Sequence, residues 1–298
     1  MKSNKVGLTN ADKLFFFFND LILLLALLVV LYPIVYIFSA SFSDRLAVVS
    51  GKVFLWPVDF SFEGYTAIFK DARIIPAYGN TVFYTVVGTT INVVLTIMAA
   101  YPLSRKTMVG RNLIMYLFAF TMIFHGGLIP NYLLIKSLGM IDTRWALLLP
   151  GALAVWNMII ARTFFQTTIS HELFEAASMD GCSHIRFLWS IVLPLSKAII
   201  AVMVLFYGVS HWNAYFNAFI YLKNKDLFPL QLVLRDILIQ NEVDPSTITD
   251  PESMTKKQGL ADLLKYSIII VASLPVWIVY PFVQKHFVKG VMIGSIKG

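Results

Sequence analysis

The chain has 298 residues, of which 58% are hydrophobic and only 14% charged, with a mean hydropathy of +0.72. An ordinary soluble domain carries about 25% charged residues, so this much apolar surface needs a lipid solvent and points to an integral membrane protein. The net charge of +7 comes without a Lys/Arg cluster interleaved with aromatics, which argues against nucleic-acid binding. The single cysteine, Cys182, excludes an internal disulfide.

Lys2, Lys5 and Lys13 stand before the first apolar run. Leu21–Ser43 is 23 residues without a charge. The apolar core of a signal peptide spans only about 7–15 residues, so the run reads as an uncleaved first helix. Five further charge-free stretches follow: Ile74–Ser104, Asn112–Ile135, Trp145–Ala161, Ala198–Leu222 and Tyr266–Gln284. Each is near or above the roughly 17–25 residues that cross the hydrocarbon layer. Backbone groups there must be satisfied within the segment, which makes the spans helical. The expected fold is an all-α polytopic membrane protein with six transmembrane helices in a single domain, 1–298. The spans lie at about 17–43, 76–104, 112–136, 145–167, 197–222 and 262–285. Pro33, Pro102, Pro130, Pro275 and Pro281 are expected to kink helices or mark their ends.

Loop charges choose the orientation. Residues 1–13 sum to +2, 104–111 to +3 and the tail after Gln284 to +3, while 162–197 balances to 0. The intervening loops 44–73, 136–144 and 223–257 sum to 0, +1 and −1. Positive charge stays inside, so both termini and the loop 168–196 are expected in the cytoplasm and the loop 223–260 outside.

Residues Glu175 to Pro194 read EAASMDGCSHIRFLWSIVLP: Glu-Ala-Ala, three residues, Gly, nine residues, then I-x-L-P. Ser170 is placed to cap a helix, with Glu172 and Glu175 in or near its first turns, where acids favour the dipole. Gly181 suits a left-handed residue that turns the chain. Ser183 then caps a second short helix ending before Pro194. The product is a helix–Gly–helix elbow along the membrane face, with Ala176 and Ala177 keeping one side small and Glu175 offering a charge. The run His171-Glu172-Leu173-Phe174-Glu175 falls one residue short of a zinc-protease HExxH motif, and no metal ligand set or catalytic constellation is read from the chain.

No G-x-x-x-x-G-K-[ST] occurs, so the chain has no P-loop for ATP. No Asp or Glu lies inside the six charge-free stretches. Ion-coupled carriers usually carry such buried groups, and only His125 and His211 remain for that role.

The docking pattern, taken with the spans, resembles a permease subunit of a carbohydrate ABC importer of the maltose-permease type, in the branch handling complex oligosaccharides. The resemblance runs from the first span to the end. It includes His125-Gly126-Gly127-Leu128-Ile129-Pro130, Trp212-Asn213-Ala214-Tyr215-Phe216-Asn217 and the tail Phe287-Val288-Lys289-Gly290 through Lys297-Gly298. It implies a type I importer permease fold in the plasma membrane of a Gram-positive bacterium. It also implies a second homologous permease, two ABC ATPases, an extracellular solute-binding lipoprotein and an oligosaccharide substrate. The chain itself would hold no cofactor and no enzyme site; ATP and Mg would sit on the partner ATPases. Glu172, Glu175, Ala176, Ala177, Asp180 and Gly181 would form the ATPase-docking surface. The alternative is a stand-alone channel or an ion-coupled secondary transporter.

Sugars present apolar C–H faces and a rim of hydroxyls, so aromatic faces and amides are the residue types for their path. Candidates are Asn92, His125, Asn131, Asn157, Tyr207, His211, Trp212, Asn213, Tyr215 and Asn217. Tyr207, His211 and Tyr215 recur every four residues and share one helical face. The competing role for such groups is to bind helices together or to sit at the interface. The stretch Leu227–Ile239 reads as an amphipathic helix in the outer loop, and Asp244–Lys257 as a polar turn. By resemblance this loop would meet the binding protein. The Gly290-Val291-Met292-Ile293-Gly294 spacing lies outside the spans, and by resemblance such tails lie against the ATPases.

Overall fold

The computed structural model describes residues 9–241 and 251–295, apart from the side chains of 251–254, 256, 279 and 282–295. These residues are mostly helical, with no strand among them. Three helices are long and apolar enough to cross a membrane, and five spans result if each of two bent helix pairs counts as one.

Helix α1 (Asn10–Ser41) starts before the apolar run because Thr9 and Asp12 form a capping box. The Asp12 amide donates to Thr9 Oγ1 at 3.2 Å, and the Thr9 amide donates to Asp12 Oδ2 at 2.9 Å. Only its last turn, Ser39 to Ser41, is buried. Two short helices follow, α2 (Arg45–Val49) and α3 (Glu63–Phe69). Then come α4 (Ile74–Ser104), α5 (Arg111–Ile123), α6 (Leu128–Ser137), α7 (Trp145–Leu148) and α8 (Val155–Thr168). The next are α9 (His171–Met179), α10 (His184–Phe187), a π turn at Leu188–Val192 and α11 (Leu193–Leu195). The series ends with α12 (Lys197–Asn213), α13 (Phe216–Tyr221), α14 (Leu230–Gln240) and α15 (Pro251–Ser295).

The chain divides into two compact units, residues 1–71 with 237–273 and residues 72–236 with 274–298. In the first, the end of α1 packs on α15. Tyr36 and Tyr266 meet edge to face at 5.5 Å, and Ala40 and Leu263 share a core with Val53. Gly64 lies directly against the Ser267 side chain, so any Cβ there would collide. Phe42 stacks on Phe60 at 5.5 Å with Phe62 and Tyr65 around it.

The second unit is organised by α4. Its buried face carries Asn80, Thr81, Tyr84, Gly88, Asn92, Thr96 and Ala100. From Tyr84 onward these recur every four residues and so line one side. Each polar member has a partner from elsewhere in the chain. Asn80 Nδ2 donates to the carbonyls of Asp226 (2.6 Å) and Phe228 (3.2 Å). Tyr84 donates to the Leu227 carbonyl at 2.8 Å, and Thr81 Oγ1 accepts from the Leu230 amide at 2.7 Å. Asn92 Nδ2 donates to the Gly151 carbonyl at 2.9 Å. Thr96 Oγ1 and the Tyr207 hydroxyl lie 2.7 Å apart.

Three of the charge-free stretches are not straight helices. Asn112–Ile135 is bent by 114° between α5 and α6. The bend falls on Phe124 to Gly127, where Gly127 has φ +86°, a conformation glycine adopts without a Cβ penalty. Trp145–Ala161 is interrupted from Leu149 to Ala154, between α7 and α8. The freed backbone is taken up by side chains: Asn92 caps the Gly151 carbonyl, and the Ala154 amide donates to the Tyr207 hydroxyl at 3.3 Å. Non-helical backbone at membrane depth requires such internal partners. Ala198–Leu222 breaks at Ala214 and Tyr215, between α12 and α13. In the loop after α13, α14 runs over Leu230–Gln240, so the amphipathic helix expected over Leu227–Ile239 is present but starts three residues later, after a 3-10 turn at Lys225–Leu227. The residues 242–250 lie outside the described residues, and from Pro251 the chain is helical rather than a turn.

Two tests follow from this packing. A Cβ at Gly88 would stand 2.5 Å from the His211 ring, and overpacking of this kind costs about 1–3 kcal/mol. Gly88→Val is expected to lower the thermal stability of the detergent-extracted protein by that order, measured by heating and residual monodispersity. The second test concerns Asp142, at φ +60°, which accepts from the Lys223 and Asn224 amides at 2.8 and 2.7 Å. These two bonds, Asn224 first, hold its carboxyl below the ordinary carboxylate value, with help from the Lys223 charge. A depressed folded pKa gives stability that is present above the unfolded value near 3.9 and is lost as pH falls through the folded value. Asp142→Ala is expected to lower the melting temperature at pH 7, with the difference from the parent shrinking below about pH 4.

Candidate docking elbow and translocation-path residues

The elbow is built by local code. Ser170, in extended conformation, accepts the Leu173 amide at 3.3 Å and starts α9. The helix closes through a Schellman motif: the Cys182 amide donates to the Ala177 carbonyl at 2.9 Å and the Gly181 amide to the Ser178 carbonyl at 3.0 Å. Gly181 has φ +75°, with open space where a Cβ would be, so its requirement is backbone conformation and not room. Ser183 then accepts the Arg186 amide at 3.4 Å and starts α10. The second arm runs on through Pro194 instead of stopping before it. The π turn Leu188–Val192 loosens the i to i−4 ladder just ahead of the ring, which has no amide hydrogen to donate. At Ser196 this arm bends by 81° into α12.

The elbow has two faces. Phe174, Ala177 and Cys182 turn inward and pack against a buried cluster that includes Tyr101, Leu103, Phe165, Phe187 and Val192. Glu172, Glu175, Ala176, Asp180 and Gly181 are exposed. Of the two alanines expected to face a partner, Ala176 is outward and Ala177 is half-buried against the chain's own core. His171 Nδ1 lies 3.0 Å from Glu175 Oε1, one turn along α9, so the incomplete HExxH run is a surface pair. Three apolar side chains also stand out of the elbow: Met179 at 88% exposure, Ile185 at 72% and Trp189 at 69%. Nothing in the sequence marks these three. Their spacing in the sequence is the same as that of buried residues, and only the helix orientation turns them outward.

Beside this apolar contact, one arginine lies between the elbow and the end of α4. The Arg105 guanidinium carbon is 4.8 Å from the ring centroids of Tyr101, Phe174 and Phe187 alike. Phe174 is further stacked on His184 at 5.2 Å and meets Phe187 edge to face at 5.2 Å. In the sequence Arg105 counts only as one of the positive charges in its loop. The Tyr101–Arg105 spacing of four was a readable signal; the convergence of Phe174 and Phe187 was not.

The path candidates separate into two sets. Asn92, Asn157, Tyr207 and Trp212 are buried, and His211 is half-buried. His211 Nε2 is 3.0 Å from Asn92 Oδ1, and Tyr207 serves Thr96 and Ala154. The Trp212 ring lies 6.2 Å from that of Tyr78. This set ties α4, α8 and α12 together. His125, Asn131, Asn213, Tyr215 and Asn217 are exposed. Asn213 Nδ2 donates to the Val209 carbonyl at 3.0 Å. Tyr207 and His211 share the face of α12 turned to α4, whereas Tyr215 falls on the break after it and so leaves that face. Among the described residues no group of three His, Cys, Asp or Glu side chains is placed to hold a metal ion.

No family model matches the chain. It is 41% identical over 270 residues to protein LplC of Bacillus subtilis, covering 91% of this chain and 90% of that one. It is also 41% identical over 276 residues to YtcP of the same organism, a polygalacturonan/rhamnogalacturonan transport system permease protein, covering 93% and 96%. Among solved structures, it superposes with TM-score 0.82 and 35% identity on a chain from a bacterial ABC transporter involved in the import of the acidic polysaccharide alginate. That match covers 94% of this chain and 98% of the other. With identity this high over nearly the whole length, and with a capped Glu-Ala-Ala elbow between membrane-type helices, the chain belongs to the family of permease subunits of sugar ABC importers.

Proposed function

We propose that the chain is one of two permease subunits in an ATP-driven oligosaccharide importer of the plasma membrane, and that its elbow is where an ATPase docks. The observation that carries this reading is the elbow itself. Capping by Ser170 and Ser183 and the left-handed Gly181 hold two short helices at a fixed angle. Their outer side combines the acids Glu172, Glu175 and Asp180 with the apolar Met179, Ile185 and Trp189. An apolar centre with a charged rim is the composition of a protein-binding surface.

In this reading the two bent pairs and the interrupted α7–α8 segment bring the count to six spans, both termini lie in the cytoplasm, and the elbow faces the same side. A second homologous permease completes the path, two ABC ATPases bind the two elbows, and an extracellular solute-binding protein delivers the sugar to the outer loop 223–260. ATP and Mg are bound by the ATPases. ATP binding closes them, and the elbows pass that movement to the spans so that the path opens alternately to each side. The named transport roles of the relatives, polygalacturonan/rhamnogalacturonan for one and alginate for another, support an oligosaccharide as cargo. The exposed aromatic and amide residues around the α12–α13 break, Asn213, Tyr215 and Asn217, are the side chains best suited to meet it, with His125 and Asn131 at the α5–α6 bend.

Gly181→Val forces a β-branched residue into left-handed backbone at a cost of about 1–2 kcal/mol. It is expected to abolish uptake of labelled sugar while the protein reaches the membrane in normal amount. Glu175→Arg is expected to do the same, and normal ATP-dependent uptake in both variants would overturn the docking role. Tyr215→Ala removes an exposed aromatic face, worth about 0.5–1.5 kcal/mol in a stacking contact. Transport is expected to fall about two- to tenfold, with the ATPases still co-purifying. Unchanged transport would remove Tyr215 from the path.

A further inference from the structure

We propose that Arg105 is the positioning residue that passes movement of the elbow to α4, by holding three aromatic rings from three segments on one cation. The inference rests on the docking role proposed above. The rings belong to α4 (Tyr101), to the first arm of the elbow (Phe174) and to the second arm (Phe187), and each centroid is 4.8 Å from the guanidinium carbon. Two hydrogen-bond facts set this arginine apart from a packing residue. Nη2 donates to the Tyr101 hydroxyl at 3.3 Å, while the buried Nε has no acceptor. Among the described residues Arg105 makes no ion pair. A cation kept half-buried against π faces, with one N–H unsatisfied, calls for a reason beyond filling space.

The chemistry of the contact suits a moving joint. A carboxylate partner would fix the guanidinium in one bidentate geometry. Ring faces attract a cation through their quadrupoles with less directional demand, so the two arms can rotate around Arg105 without releasing it. Arg is the cation for this role because its flat, weakly hydrated head lies on rings, whereas a Lys ammonium stays strongly hydrated. The end of α4 is also secured against fraying. Arg162 Nε donates to the Leu103 carbonyl at 3.0 Å, and Arg111 Nη1 donates to the Arg105 carbonyl at 3.4 Å. A pull on the side chain therefore moves the helix. Along α4, Asn92 and its His211 partner lie about 20 Å from Arg105 at 1.5 Å per residue. The other route from the elbow, through α11 to α12, passes the 81° bend at Ser196.

The test uses the complete importer, with both permeases, the ATPases and the binding protein, in proteoliposomes. Sugar uptake and ATP hydrolysis are measured together. Arg105→Gln is expected to keep the ATPases bound and hydrolysing while sugar moved per ATP falls about five- to tenfold, the size of a typical coupling energy. Phe174→Leu should reproduce that loss and Phe174→Tyr should not. Tyr101→Phe keeps its ring and should couple normally. A wild-type ratio in Arg105→Gln overturns the proposal. So does loss of the ATPases from that variant, which would make Arg105 part of docking. If Arg105→Gln does not reach the membrane, the Phe174 pair decides: a normal ratio in Phe174→Leu overturns the proposal. A parent complex that moves sugar without ATP would instead overturn the importer reading, a result distinct from all of these.

Discussion

In an apolar solvent every amide and carbonyl that leaves a helix must find a partner inside the protein, and α4 supplies such partners for the break between α7 and α8 and for the segment from Asp226 to Leu230. Tyr84, Asn92 and Thr96, with Asn80 and Thr81 above them, face one side of a 31-residue helix. They reach the carbonyl of Gly151, the carbonyls of Asp226, Leu227 and Phe228, the amide of Leu230 and the hydroxyl of Tyr207. Each bond is modest alone, about 0.5–1.5 kcal/mol net. Leaving a buried group unpaired costs about 1–3 kcal/mol, and several kcal/mol at membrane depth, as for the Gly151 carbonyl. Of the three breaks, the one between α7 and α8 is held directly by this stripe, through Asn92 and the Gly151 carbonyl. Gly88, at the centre of the stripe, removes the side chain that would otherwise keep His211 away from Asn92.

The breaks are where the exposed polar candidates gather. Helix ends and interruptions expose polar side chains at positions a continuous helix would bury or turn to lipid. The exposed path candidates sit on two such interruptions, His125 on the α5–α6 bend and Tyr215 on the α12–α13 break. The buried candidates, Asn92, Tyr207 and His211, hold the helices that frame them. Members of one list of polar residues thus divide into a buried set that holds helices together and an exposed set, and the difference lies in exposure and not in residue type.

The elbow shows the same division at smaller scale. Its inner face, Phe174 and Ala177, belongs to the core of the chain, and its outer face carries acids and three exposed apolar side chains. Arg105 stands at the inner contact, where a cation on three rings takes the place a salt bridge would hold in a static joint.

Much of this was legible in the sequence. Uncharged length located the apolar segments, and Ser170, Gly181 and Ser183 announced the elbow, because capping and left-handed turns depend on residues a few positions apart. The same locality explains what could not be read. Trp145–Ala161 and Asn112–Ile135 look continuous to any count of apolar residues, yet the first breaks because Asn92 and Tyr207, about 50 to 60 positions away, accept or donate to its backbone. Pro194 looks like a stop, and a π turn carries the helix through it. Ala176 and Ala177 look alike, and packing against Tyr101 and Phe187 turns only one of them outward. Composition and short-range code determined that the chain is helical, membrane-embedded and equipped with an elbow. Which residues are buried, where the helices break and what Arg105 touches were decided only when distant segments met, since those choices depend on partners that sequence neighbours do not specify.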